Sequence, residues 1–208
     1  MLKIQSYFPN LTPEQIACFE KMGPVYREWN QKINIISRKD IDSLYEKHIL
    51  HSLAIAKIIT FRPGTRILDV GTGGGLPGIP LAVLFPECRF TLIDSIGKKI
   101  RVVQAVVAEL GLKNVTAIHT RVQEVKDEFD FVISRAVTAF PDFVALIRKN
   151  ISSQPKNSRP NGIIYLKGGD FDEEISKFRS QIEVSEISDF FSEPYFETKK
   201  VIYLPINR

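Results

Sequence analysis

The residues of this 208-residue chain best placed to do chemistry fall in one short run, Asp69-Val-Gly71-Thr-Gly73-Gly74-Gly75-Leu-Pro77-Gly78-Ile-Pro80. Five glycines in eight positions let backbone N–H groups come close to a ligand. The helix expected to start there adds positive potential. A tight turn alone does not call for so many glycines. A second candidate, Asp94, closes the apolar run Phe90-Thr-Leu-Ile-Asp94. At the C-terminal end of a strand in an open sheet, its carboxylate faces the ligand crevice and can accept both hydroxyls of a ribose. The competing role for Asp94 is to cap the helix beginning at Ile96, which Ser95 can also do.

Two ligand classes fit the glycines. Gly73-x-Gly75-x-x-Gly78 has the spacing of a dinucleotide fingerprint, and Asp94 lies 21 residues beyond Gly73, where a ribose-binding acid belongs. Gly71-x-Gly73-x-Gly75, preceded by Asp69, matches instead the loop of Rossmann-like methyltransferases that use S-adenosyl-L-methionine (AdoMet). The prolines separate the two. A pyrophosphate needs free N–H groups at the helix start, and Pro77 and Pro80 remove two of them. AdoMet has no phosphate and is the favoured ligand. No Gly-Lys-Ser/Thr follows the loop, which excludes a Walker A site.

Other candidates are weaker. Lys98, Lys99 and Arg101 form a basic cluster at a helix start, and Arg38, Lys39 and Lys47 a looser one; either suits RNA phosphates or a solvated face. Lys98, in the run that follows Asp94, is the better expectation. His48 and His51, three apart, share a helix face. His119 is the only other histidine, so no metal site is expected, and a polar contact with the sheet or RNA is. Trp29 falls at helical spacing with Val25 and Tyr26, which favours core packing over base stacking. Cys18 and Cys88 form no C-x-x-C pair, which argues against a disulfide scaffold or a cysteine-based zinc site.

The elements that must position these residues follow from periodicity. Thr12-Pro13-Glu14-Gln15 is a capping-box start for a helix reaching about Asn30, burying Ile16, Phe19, Val25 and Trp29. A second helix follows Asp42-Ser43. Beyond Arg62-Pro63-Gly64 short apolar runs alternate with helical patterns. Strands are expected at 66–70, 89–94, 114–119, 130–134 and 162–166, with helices at 76–85, 96–110 and 140–149. The C-terminal part offers a helix at 172–180 and strands near 182–187 and 200–204. The polar stretch 152–161 is an exposed loop. This rhythm predicts an α/β fold with a mostly parallel seven-stranded sheet: a Rossmann-like domain at 61–208 behind an N-terminal helical extension at 1–60.

The chain carries 28 basic and 24 acidic side chains, 44% hydrophobic and 25% charged residues, which excludes disordered, collagen-like and coiled-coil classes. Its excess of +4 divides as +2 over 1–60, +3 over 61–150 and −1 over 151–208, a distribution that suits a polyanionic partner without demanding one. With no signal-peptide pattern and no long apolar run, a cytoplasmic protein without membrane attachment is expected.

The run Asp69 to Ala82 closely resembles the ribosomal RNA small subunit methyltransferase G family, also called GidB. Trp29-Asn30-x-x-x-Asn34, His48-Ile-Leu-x-Ser52-Leu53, Asp94-Ser-x-Gly-Lys98-Lys99, Ser134-Arg135-Ala136 and Lys167-Gly168 resemble it too, so the likeness spans nearly the whole chain. Two positions depart: His51 stands where the family usually has Asp, and Asn34 is followed by Ile-Ile-Ser rather than Leu-Thr. The resemblance implies AdoMet-dependent methylation of guanine N7 in 16S rRNA, by a monomer acting on 16S rRNA or the small ribosomal subunit. It places Gly71 and Leu76 on the cofactor beside Asp69, Gly73, Gly75 and Asp94. Val122 and Gln123 meet the adenine, Arg135 stands at the cofactor and catalytic edge, and Lys98, Lys99, Arg101 and Lys167 face RNA. Guanine N7 has a lone pair and no proton, so no general base is needed, and rate comes from positioning and field. Arg135 cannot take guanine's bidentate O6/N7 contact, since that would occupy the nucleophile. Its contact would be to O6, a phosphate or the cofactor. The alternatives are a nicotinamide-dependent oxidoreductase using the second glycine frame and a non-enzymatic RNA-binding protein.

Overall fold

The computed structural model describes every residue except Met1, Arg38, Ala136, Val137, Asp170, Asn207 and Arg208. Arg38 of the looser basic cluster and Ala136 of the Ser-Arg-Ala run therefore lie outside the described residues.

Thr12 and Gln15 form the expected reciprocal cap, and the long helix they start follows a short one; these are α1 (Leu2–Tyr7) and α2 (Pro13–Lys32). A helical run over 41–58 comes next. It comprises a 3-10 turn (Ile41–Ser43), a π-helical stretch (Leu44–Leu50), α3 (His51–Leu53) and α4 (Ile55–Ile58). The alternating part then gives β1 (Arg66–Val70), α5 (Gly78–Leu84), β2 (Arg89–Asp94), α6 (Gly97–Leu110), β3 (Val115–His119), β4 (Phe131–Arg135) and α7 (Phe140–Ile147). It ends in β5 (Gly162–Gly168), α8 (Asp172–Ile175), β6 (Glu183–Glu186) and β7 (Lys199–Pro205).

These strands form one seven-stranded sheet in the order β3-β2-β1-β4-β5-β7-β6. The first five are parallel, and β7 runs antiparallel to both neighbours, pairing Gly168 with Lys199 and Gly162 with Pro205. Strands buried on both faces read as continuous apolar runs because alternate residues serve opposite cores. Ile67, Phe131 and Ile133 join the cluster shared with α2, the 41–58 run, α5 and α6, while Leu68, Val70 and Val132 join the one under α7.

The structure departs from the periodicity in places. The helix expected from Leu76 starts at Gly78, because 71–77 are taken up by the glycine turn. The helix expected to Lys149 ends at Ile147 and tightens into a 3-10 turn, where Asn150 turns inward to donate to the carbonyls of Val125 (3.0 Å) and Asp127 (2.9 Å). The helix expected over 172–180 is one α-turn followed by a 3-10 turn. On α2 the buried face is Phe19, Met22, Gly23, Val25 and Tyr26. Ile16 and Trp29 are only half-buried, and Lys32 lies 4.8 Å over the Trp29 ring. The stripe is displaced because Tyr45 of the 41–58 run packs on Gly23, where a Cβ would sit 2.7 Å from its hydroxyl oxygen.

Candidate active site

The glycine turn leaves β1 through three residues with positive φ, Gly71 (66°), Gly73 (59°) and Gly75 (95°), a conformation side chains resist. Asp69 lies fully buried beneath it. Its Oδ2 accepts from the Thr72 hydroxyl (2.6 Å) and the Gly78 N–H (2.9 Å). A Cβ at Gly78 would lie 2.8 Å from that same oxygen, so the close approach requires glycine. Burial raises the Asp69 carboxyl to about 7, against the pull of the Thr72 and Gly78 hydrogen bonds and the Arg135 charge. From the outside, the Tyr26 hydroxyl donates to the Gly74 carbonyl (2.8 Å), so α2 clamps the turn.

Asp94 ties the turn to α6: Oδ2 accepts from the Gly73 N–H (3.0 Å) and Oδ1 from the Ile96 N–H (2.9 Å). Its ribose-facing and helix-starting roles are thus compatible, since each oxygen keeps a second lone pair. The donors at the start of α5 are engaged: Gly78 N–H by Asp69, Ile79 N–H by the Gly75 carbonyl (2.7 Å), while Pro77 and Pro80 have none. A pyrophosphate would find no N–H there, so the dinucleotide frame fails on geometry.

Beside the turn, at the C-terminal ends of β1, β2 and β3, opens a cleft of about 550 Å³ whose wall includes Val70, Gly71, Asp94, Ile96, Val122 and Gln123. The Lys149 ammonium donates to the Gln123 carbonyl (2.7 Å) and holds the 3-10 turn Val122–Glu124 in place. Apolar walls for an adenine, a carboxylate for a ribose and no phosphate cradle fit the adenosine part of AdoMet.

A second cavity, of about 530 Å³, opens beyond β4 and is lined by His48, His51, Arg135, Lys167, Tyr195 and Lys199, among others. They lie on neighbouring strands: Val70 of β1 lines the first and Arg135 of β4 the second, and the Ser134 hydroxyl beside Arg135 donates to the carbonyl of Val70 (2.8 Å). Arg135 is half-buried. Its guanidinium reaches the His48 Nδ1 (3.1 Å) and, at 3.5 Å, the Lys47 carbonyl. Burial first, then the Arg135 charge, lowers His48 to about 4 and pushes His51 well below the usual histidine range. Neutral His48 therefore accepts from Arg135 at Nδ1 and carries its proton on Nε2. No carboxylate of the described residues lies within ion-pair distance of Arg135. Nor do the described residues contain a group of three His, Cys, Asp or Glu able to hold a metal.

A family model described as GidB, rRNA small subunit methyltransferase G, matches residues 15–201. The chain belongs to that family. It is 59% identical over 206 residues to the ribosomal RNA small subunit methyltransferase G of Flavobacterium johnsoniae, covering 99% of this chain and 98% of the relative. With the protein of the same name from Bacteroides thetaiotaomicron it is 55% identical over 203 residues, 98% of each. Among solved structures its fold is similar to a SAM dependent methyltransferase from Aquifex aeolicus, with a TM-score of 0.57 and 16% identity over 82% of this chain and 99% of that one.

As a methyltransferase G the chain places its expected site residues unevenly. Gly71, Asp94, Val122 and Gln123 line the first cleft, and Arg135 and Lys167 the second cavity. Asp69, Gly73 and Gly75 shape the turn instead of lining the cleft. Leu76 does not reach the cleft: Gly75 turns it into the α2-side core, where it is 4% exposed. Nor is Lys98 the lysine beside Asp94. Lys99 is, its Nζ 3.9 Å from Oδ2, whereas Lys98 and Arg101 sit on the solvent face of α6. Lys167 is closed by Glu174 (2.7 Å). The expected histidine contact with the sheet is the His48–Arg135 pair. Sequence reasoning missed Ile96, Tyr26, Tyr195 and Lys199. Ile96 had a signal, an apolar residue where a polar cap is usual, and it stands 41% exposed at the cleft. Tyr195 and Lys199 had none, because their place depends on β7 pairing with β5.

Proposed function

We infer that this methyltransferase transfers the methyl group of AdoMet to N7 of a guanine in 16S rRNA of the small ribosomal subunit. The observation that carries the reading is the pair of cavities at the C-terminal ends of the neighbouring strands β1 and β4, one shaped for an adenosine without phosphates and the other walled by cations and neutral rings. When bound, AdoMet supplies an electrophilic methyl group on a sulfonium.

The chain's own residues then have separable tasks. Asp94 takes the ribose hydroxyls, Gly71 lets the backbone approach, and Val122 and Gln123 frame the adenine. Arg135, held by His48 and the Lys47 carbonyl, sets the field and position at the acceptor side. N7 is already a free nucleophile, so no residue removes a proton, which suits a site whose histidines are neutral and buried. RNA phosphates fall to Lys98 and Arg101, which are exposed; Lys99 and Lys167 face Asp94 and Glu174. In this reading residues 1–60 are an extension closing the acceptor side of a methyltransferase domain at 61–208. The protein works as a monomer in the cytoplasm, where its substrate is. No described helix is long and apolar enough to cross a membrane.

Mass-spectrometric mapping of 16S rRNA from cells with and without the gene tests the reading. An N7-methylguanine that disappears with the gene is expected, and an unchanged level overturns the assignment. Calorimetric titration should show AdoMet binding where NAD does not bind.

A further inference from the structure

On that reading the second cavity must tell guanine from adenine, and we propose that Lys199 does so by donating a hydrogen bond to guanine O6. The two purines share N7 and differ beside it: guanine presents the O6 acceptor, adenine an N6 amino donor. A selective wall therefore needs a donor at the O6 position and no competing acceptor.

The cavity's polar groups are nearly all committed elsewhere. Arg135 is held by His48 and the Lys47 carbonyl, Lys167 is closed by Glu174, and the Tyr195 hydroxyl reaches the Lys47 carbonyl (3.4 Å). His48 Nε2 and both His51 ring nitrogens are shut from the surface. Lys199 differs. Its ammonium has no ion-pair partner among the described residues and meets only the Thr198 hydroxyl (2.7 Å), 4.9 Å above the Tyr195 ring. Its side chain runs close over its partner across the sheet, a glycine: a Cβ on Gly168 would lie 2.8 Å from Lys199 Cδ and 3.1 Å from Nζ. No carboxylate of the described residues lines the cavity, so an adenine amino group would meet an ammonium and find no carboxylate to accept from it.

The hydrogen bond to O6 forms when the base docks and is kept while N7 is alkylated, so it serves ground state and transition state about alike. Losing it should raise KM and leave kcat nearly intact.

The test uses small subunits reconstituted with 16S rRNA carrying either guanosine or 2-aminopurine, which keeps N7 and lacks O6, at the methylated position. The unaltered protein should lose about 10–100-fold in kcat/KM on 2-aminopurine. Lys199→Met should show that loss already on guanosine, through KM, and lose little more on 2-aminopurine. Lys199→Arg should restore part of the preference. AdoMet affinity should stay within about twofold throughout, since Lys199 is outside the cofactor cleft. An equal 2-aminopurine penalty in the unaltered protein and in Lys199→Met, or no penalty in either, overturns the proposal. Failure of the unaltered protein to methylate even the guanosine subunit overturns the functional reading, and the proposal with it.

Discussion

The two cavities on either side of the β1–β4 pair are built by opposite means. The cleft proposed for AdoMet is made mostly from chain segments 70–99 and 120–123, and its carboxylate, Asp94, is locked by the Gly73 and Ile96 N–H groups. The acceptor cavity gathers residues 48, 51, 135, 167, 195 and 199 from both ends of the chain. It holds a half-buried guanidinium without a carboxylate in ion-pair distance among the described residues and leaves one ammonium uncommitted. A cofactor of constant shape suits a pre-satisfied mould, whereas a base arriving with a large RNA needs donors still available when it enters.

Arg135→Met should break the acceptor side most severely. Methyl transfer is expected to fall about 100–1,000-fold, the scale of losing a preorganised charge at a reacting centre. AdoMet affinity should stay within about threefold and the fold should hold, since no carboxylate of the described residues forms an ion pair with Arg135. A matching loss of AdoMet binding in calorimetry would erase the division between the cavities. Asp94→Asn strikes the other side. It should weaken AdoMet about 10–100-fold, the range for charged hydrogen bonds to a diol, with transfer at saturating AdoMet nearly retained.

A smaller effect separates the two regions by pH. Folding depresses His48 to about 4, so its neutral form contributes stability that is intact above its unfolded value near 6.5 and lost as pH falls towards 4. Asp69, raised to about 7, acts in the opposite sense: its acid form favours folding below about 3.8, and that gain is lost as pH rises through 7. Urea unfolding of the unaltered protein and of His48→Gln between pH 4.5 and 7.5 isolates the histidine. The variant should shed roughly 2 kcal/mol of the acid-side loss, and parallel curves would show that His48 does not titrate with folding. The smallest effect belongs to neither cavity: Lys98→Glu with Arg101→Glu should lower the salt dependence of RNA binding by about one phosphate contact per residue without moving AdoMet affinity.

How much of this was legible is clearest from particular residues. Thr12 and Gln15 announce their helix, and Gly71 and Asp94 their cleft, because caps, φ-positive glycines and strand-ending acids act over a few residues; Val122 and Gln123 follow only from the family resemblance. The core position of the Leu76 side chain is not legible, because one turn at Gly75 decides which way the next side chain faces. Lys98 was preferred to Lys99 because sequence distance from Asp94 does not reveal which face of α6 looks into the cleft. Tyr26 was invisible as a functional residue, since its hydroxyl finds Gly74 only after α2 lies against the sheet.

The sequence by itself determined the alternating fold, the adenosine-shaped cleft and, through Pro77 and Pro80, the refusal of a pyrophosphate, all set by backbone conformation and local hydrogen bonding. Only the tertiary structure decided the acceptor cavity. Antiparallel pairing of β7 with β5 brings Lys199 beside Gly168, and packing of the 41–58 run against the C-terminal end of β4 brings His48 to Arg135. Those meetings depend on sheet register and helix docking, whose energy is spread over many apolar contacts and leaves no short signal in the chain.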